Sequence, residues 1–353
     1  MSTSEQINVG TTPVRPGYEL DAARLTEWLH DHVPSFAGPL RIEQFKGGQS
    51  NPTYKLITPS ACYVLRRKPP GPLLPGAHAV DREARVQSAL GAAGFPVPHQ
   101  YALCMDESIL GTPFYVMDLV AGRIFWDATF PEVPREQRSE YFRAMCETLA
   151  RLHKLDPVAV GLGDYGRGSG YVQRQLRRLS EQYRNDELAG RDANMDRLID
   201  WLGEHAPGDE RTAIVHGDFR CDNVIFHPQR AEVIAVLDWE LSTLGHPFAD
   251  FAYHALMYHV PPQIVAGLRD ADLVALNIPS EREYAAIYAN AIGLQSVTDY
   301  RYYLCFSLFR LAAIFHGIRG RVMRGTAVSA HAQARASAFT MLAEMGWRTA
   351  SAE

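Results

Sequence analysis

The segment 215–240, VHGDFRCDNVIFHPQRAEVIAVLDWE, sets His216, Asp218, Asp222, Asn223, Asp238 and Glu240 around two short apolar runs. VIFH (224–227) and EVIAVLDW (232–239) favour strands, and PQRA (228–231) between them carries the turn-forming Pro228. In an antiparallel pair, residues equidistant from the turn lie side by side. The midpoint of Asn223 and Asp238 falls at that turn, so an amide oxygen and a carboxylate should reach one end of a hairpin together. Asp218 stands five residues before Asn223, on the loop entering the same end. Hard oxygen donors grouped in this way suit Mg2+, which fills its remaining positions with water and phosphate oxygens. A nearby carboxylate off the metal can accept a proton from an attacking hydroxyl. Each of these residues alone is as readily a turn cap; their joint spacing is what points to chemistry.

Bulk properties are compatible with such a site. The 353 residues are 46% hydrophobic and 21% charged, enough for one large domain or two lobes with a substantial core. A net charge of −5 gives no support for a nucleic-acid groove or an anionic membrane surface. The five cysteines, Cys62, Cys104, Cys146, Cys221 and Cys305, are scattered and lack C-x-x-C spacing, as in a reduced, cytoplasmic protein. The opening MSTSEQINVG has no basic region followed by an apolar run, so no secretory signal is expected. LCFSLFRLAAIF (304–315) is short and interrupted by Arg310, which predicts a buried helix and no membrane span.

Along the chain, 18–33 has helical apolar spacing, with Asp21 a plausible cap and Pro34 a stop. From 40 to 66 the texture changes to short strands separated by Gly, Asn and Pro turns. A Pro/Gly-rich connection at 68–79 leads to a helix from about Val80 to Ala93, and 94–120 predicts two more strands around a turn at 106–112. Beyond Ala121 helical patterns dominate, clearest at 136–154, and resume at 247–259 and through 281–346. The expected fold class is α+β: a nucleotide-binding N-lobe over 1–120, with a leading helix, a small antiparallel sheet and one main helix, then a larger, mostly helical C-lobe over 121–353.

H-G-D-x-x-x-x-N, followed by an apolar strand and L-D-W-E, resembles the aminoglycoside phosphotransferase/choline kinase-type family, whose fold is protein-kinase-like and bilobal. The resemblance runs over roughly 40–345. GGQSNPTY, YVLRRKPPGPLLPGAHAVDREARVQSAL, FYVMDLVAGRIFW and HGDFRCDNVIFHP narrow it to the kinase-like domain associated with certain acyl-CoA dehydrogenases. This length leaves no room for a dehydrogenase domain after those motifs, so no flavin chemistry is expected. By motif, Asp218 would be the catalytic base, and Asn223 and Asp238 would hold Mg2+. Arg66 would touch the phosphates of ATP (or GTP), with Glu83 as its carboxylate partner, although Lys is more usual there and Arg67 and Lys68 leave the register open by one. KGGQSN would be the turn over the phosphates, giving Gly47, Gly48, Gln49, Ser50 and Asn51 as nucleotide contacts. Met117, Asp118 and Val120 would belong to the hinge beside the base. His216 would fix the loop backbone and Asp250 would brace the loop through backbone hydrogen bonds; His153, among leucines on a helix, is expected to be packing. The family often has G-D-P where this chain has Gly245-His246-Pro247, which puts local loop detail in doubt.

Arg220, two residues after Asp218, is positioned to screen the γ-phosphate, or else to pair with Asp222. The function implied is a kinase passing a γ-phosphoryl group to a small-molecule hydroxyl, with no nucleic-acid or membrane partner; oligomeric state is not legible. Candidate acceptor-pocket segments lie at about 122–131, 165–180 and 250–316, including FWDATF (125–130) and YHALMYH (253–259). They are not conspicuously acidic, which argues against a polycationic aminoglycoside acceptor and leaves a hydroxyacyl-CoA or related metabolite. Two other classes remain open at this stage: a nucleotide-binding module without turnover, and a metal-dependent hydrolase using His216, Asp218, Asp238 and His246.

Overall fold

The structure, a computed structural model, describes residues 10–47, 51–71, 78–264, 266–327 and 332–352. It forms two compact units: residues up to Trp126 with Val160–Leu162 and Cys221–Ser242, and Asp127–Ala159 with Gly163–Arg220 and everything from Thr243.

The first unit is built on an antiparallel sheet of six strands: β1 (Thr11–Thr12), β2 (Arg41–Phe45), β3 (Thr53–Ile57), β4 (Cys62–Arg67), β5 (Gln100–Cys104) and β6 (Phe114–Asp118). Their order is β1-β2-β3-β4-β6-β5. Strand alternation decides what each face carries. Tyr63, Leu65, Phe114 and Val116 pack with Leu25, Trp28 and Leu29 of helix α1 (Ala22–His32). The intervening Val64, Tyr115 and Met117 pack with Val80 and Ala84 of helix α2 (Val80–Ala92). Helix α1 starts where Asp21 accepts hydrogen bonds from the Ala23 and Arg24 N–H groups, each at 3.1 Å. It ends at Val33, whose extended backbone is what a following proline favours.

The quoted segment belongs in part to this unit. A 3-10 turn at Cys221–Asn223 leads into β8 (Val224–Phe226), which pairs antiparallel with β9 (Val233–Val236). The register differs by one from that expected of a plain hairpin: Val224 faces Val236, and the Leu237 N–H donates to the Asn223 carbonyl at 2.8 Å. An irregularity between Ile225 and Phe226 takes up the extra residue. Asp238 therefore stands one step past the residue opposite Asn223, and it does so with φ 63° and ψ 63°.

The second unit is mostly helical. Its helices are α3 (Arg138–Lys154), α4 (Tyr171–Asn185), α5 (Ala193–Glu204), α6 (Pro247–Ala255), α7 (Glu281–Ala291), α8 (Tyr300–Met323) and α9 (Ala332–Ser351); α8 packs on α4, α5, α6 and α9, and α3 packs on α7. Two three-residue strands, β7 (Ala213–Val215) and β10 (Thr243–Gly245), pair antiparallel and deliver the chain to His216 and His246. Among the described residues no helix is long and apolar enough to cross a membrane.

Candidate active site

A cavity of about 310 Å³ opens within the first unit, a size suited to a small ligand. Val64, Met117, Leu119, Ile225 and Leu237 give it apolar walls that would flank a flat ring. Asp118 and Val120 line it as β6 ends, and Gly47, Arg66, Asn223 and Asp238 line it as well. Gly48, Gln49 and Ser50 lie outside the described residues, as does the middle of the 68–79 connection.

Arg66 organises the polar side. Strand parity turns it to the face shared with α2, and it is only 8% exposed. Its Nε lies 2.9 Å from Glu83, and its Nη2 lies 2.7 Å from Asp238 and 3.4 Å from Glu240. Burial opposes the charge of Arg66, but Asp238 and Glu83 outweigh it and hold the guanidinium above its ordinary range. For Glu83 burial wins, and its pKa is raised despite Arg66. Glu83 also accepts from the Asn51 amide at 2.7 Å and from the Tyr115 hydroxyl at 3.0 Å. Asn51 is wholly buried, its amide donating to Glu83 and its carbonyl oxygen lying 2.9 Å from the His78 ring. Gln87 donates to Tyr115 at 3.2 Å and completes the support.

Asn223 and Asp238 both line this cavity, an amide and a carboxylate of the kind that Mg2+ takes, and one carboxylate oxygen of Asp238 is held by Arg66. The left-handed backbone of Asp238 is uncommon for a residue with a side chain, and such conformations cluster at functional sites. Trp126 also lines this cavity, and its buried indole N–H has no hydrogen-bond partner among the described residues.

The HGD loop is held within the second unit. Gly217, at φ 85°, turns the chain as glycine readily does. Asp250 of α6 accepts from the His216 N–H at 2.7 Å and the Gly217 N–H at 2.8 Å. Burial pushes Asp250 up, but His153 and these N–H groups more than offset it, and its pKa lies below the ordinary carboxylate value. His153 bridges Asp250 at 3.1 Å and the Tyr288 hydroxyl at 2.6 Å. It positions the brace, and is more than the packing residue its leucine neighbours imply. The His216 ring accepts the Asp218 N–H at 3.2 Å. Arg220 Nε stands 3.4 Å from the Asp218 carboxylate. Arg310 donates to the Gly217 carbonyl at 2.8 Å. Sequence gave one signal for that last role: a lone arginine in an apolar helix must find an acceptor. Tyr115 and Gln87 had no such signal.

The hydrolase alternative loses its histidines. The His216 ring is engaged with Asp218, and the His246 ring caps α6 by accepting the Phe248 N–H at 3.2 Å. Burial lowers the pKa of His246 to about 4, so it is neutral near pH 7.

Comparisons with known proteins agree with this geometry. Residues 41–288 match the family model described as Phosphotransferase enzyme family. The chain is 43% identical to acyl-CoA dehydrogenase family member 10 of Mus musculus over 346 residues, 97% of this chain and 32% of that protein. It is 43% identical to acyl-CoA dehydrogenase family member 11 of Gallus gallus over 350 residues, 96% of this chain and 45% of that protein. It therefore spans less than half the length of these relatives. Among solved structures, a candidate aminoglycoside phosphotransferase from Ralstonia eutropha JMP134 is 45% identical with a TM-score of 0.86, covering 94% of this chain and 98% of that one. Spectinomycin phosphotransferase APH(9)-Ia, solved with ADP and spectinomycin, is 13% identical with a TM-score of 0.62, covering 95% and 99%. That likeness is one of fold, and the fold is protein-kinase-like.

Proposed function

The chain belongs to the phosphotransferase enzyme family, kinase-type enzymes acting on hydroxyl groups, and we propose that it transfers the γ-phosphoryl of ATP (or GTP) to a small-molecule alcohol with Mg2+. The observation that carries this is the buried Arg66 joined to both Glu83 and Asp238 on the wall of an apolar cavity. A cation held by two carboxylates beside apolar walls matches a ligand with a flat base and a polyanionic tail.

In this reading Met117 to Val120 border the base, Gly47 and Arg66 meet the phosphates, and Glu83 keeps the Arg66 fork oriented. Asn223 and Asp238 would hold Mg2+, whose charge offsets that of the phosphates when it is bound. Asp218 accepts the acceptor's proton, while Arg220 screens charge on the transferred group. Positioning and electrostatics account for most of the catalysis such a site needs. The relatives' names associate this type of domain with acyl-CoA dehydrogenases, which supports a hydroxyacyl-CoA as the acceptor.

MgATP is expected to raise the melting temperature of the wild-type chain, with the increment lost in Asp238→Ala. Asp218→Asn should retain the increment and lose phosphoryl transfer by at least about a hundredfold. The acceptor is tested with a panel of hydroxyacyl-CoAs beside choline, homoserine and kanamycin. Stabilisation by MgATP with no transfer to any of them would make the chain a nucleotide-binding module.

A further inference from the structure

Asn51 is buried just before β3, where both ends of a side-chain amide need partners. The groups around it fix which way that amide faces. Glu83 is paired with Arg66 as a carboxylate, so it can only accept. Asn51 Nδ2 therefore donates to Glu83 Oε1, at 2.7 Å, and Asn51 Oδ1 faces the Nδ1 of His78, 2.9 Å away. An amide oxygen accepts, so His78 Nδ1 carries a hydrogen, as it does in one neutral tautomer and in the protonated ring alike. His78 stands two residues before α2 with a left-handed backbone, φ 59°, a conformation that His and Asn adopt more readily than most side chains. The other oxygen of Glu83, Oε2, takes the Tyr115 hydroxyl at 3.0 Å and Arg66 Nε at 2.9 Å. Each oxygen of the carboxylate is thus held from its own side, and among the described residues Asn51 is the donor to Oε1.

We propose that His78 and Asn51 are positioning residues for the phosphate end of the nucleotide site: His78 holds the Asn51 amide, the amide holds Glu83, and Glu83 holds the Arg66 fork toward the phosphates. This rests on Arg66 meeting those phosphates. A carboxylate gripped at one oxygen can still turn about its terminal torsion, which is broad. Gripped at both, Glu83 gives Arg66 Nε a fixed acceptor. The planar guanidinium then sets where its remaining N–H groups point. Neither His78 nor Asn51 has to touch the nucleotide for this. A ligand without phosphates makes no use of Arg66, so the relay should act on the phosphate part of binding and leave the base part alone.

The full chain is titrated by calorimetry with MgADP and with adenosine, and in parallel with MgGDP and guanosine. The preference for diphosphate over nucleoside is read for wild type, Asn51→Leu, His78→Gly and His78→Asn. Asn51→Leu and His78→Gly should each lower that preference about tenfold and leave nucleoside affinity within about twofold of wild type. Glycine suits the left-handed backbone, so His78→Gly removes the ring and its donor without strain. Asparagine suits it too and carries an N–H one bond beyond Cγ, as the histidine ring does, so His78→Asn should restore most of the preference. If Asn51→Leu does not fold, the two His78 variants decide. An unchanged preference in His78→Gly overturns the relay and leaves phosphate recognition by Arg66 standing. Equal losses for diphosphate and nucleoside also overturn it, because the network then only supports the cavity walls. A wild type without preference for either diphosphate removes phosphate recognition by Arg66 and this proposal with it.

Discussion

At Arg66 the chain uses a fork where a point charge would not serve. Its Nε meets Glu83 while its Nη2 meets Asp238, at 2.9 and 2.7 Å. A lysine ammonium on a flexible stem cannot hold both carboxylates in that planar geometry. Arg66→Lys is expected to weaken ADP binding roughly tenfold with a modest loss of stability. Arg66→Met leaves Glu83 buried without its counter-charge and should cost about 3–5 kcal/mol. Urea melts and ADP titrations separate the two effects; equal ADP affinity in Arg66→Lys and wild type would contradict the fork's role. Sequence could not say which member of Arg66-Arg67-Lys68 does this, because all three are basic. Strand parity supplies the answer: Arg66 shares the face of Val64 with α2, and Arg67 does not. The indole N–H of Trp126 was equally hidden, since an unmet donor exists only in three dimensions.

Elements were more legible than their joints. The hairpin, the Asp21 cap and the helices at 80–92 and 138–154 follow from periodicity and turn chemistry, which are local. The one-residue shift between Asn223 and Asp238 was not legible, because it depends on the irregularity at Ile225 and Phe226. Nor was the pairing of β7 with β10, three-residue strands far apart in sequence whose register only tertiary structure fixes. That Cys221–Ser242 packs in the unit of the main sheet depends on similar long-range contacts. One lies at Gly122, where a Cβ would stand 2.4 Å from both the Ile225 side chain and the Phe226 carbonyl. Next to it, Arg123 and Phe226 exchange backbone hydrogen bonds of 2.8 Å. Gly122→Ala should push this segment off β8, displace Ile225 from the cavity wall and weaken ADP binding at least severalfold. Unchanged affinity in a folded Gly122→Ala variant would show that the close approach does not shape the cavity.

Over the whole molecule, buried histidines set the acid limit of stability. His246 and His254 are each 3% exposed, and burial lowers both from 6.5 to about 4. His254 is held neutral between the Phe219 carbonyl at 3.0 Å and the Tyr284 hydroxyl at 2.6 Å. In the unfolded chain both rings take up protons near pH 6.5, while in the folded chain they do so only near pH 4. The unfolded state therefore binds more protons in that window, and stability falls as the pH drops through it. Each histidine should cost about 2 kcal/mol between pH 7 and pH 5. Asp250, whose folded pKa is lowered, loses its contribution only below the ordinary carboxylate range. Glu83 acts in the opposite sense: its raised pKa means that the folded state holds its proton more tightly, so acidification through that window favours the fold and offsets part of the loss. Urea unfolding at pH 7.5, 6 and 5 measures the balance. A decline is expected, to which His316, also lowered by burial, adds, and His254→Gln should make it shallower, because the amide can keep both hydrogen bonds without titrating. A wild-type stability that is flat from pH 7.5 to 5 would show that these rings do not remain neutral at the price of acid stability.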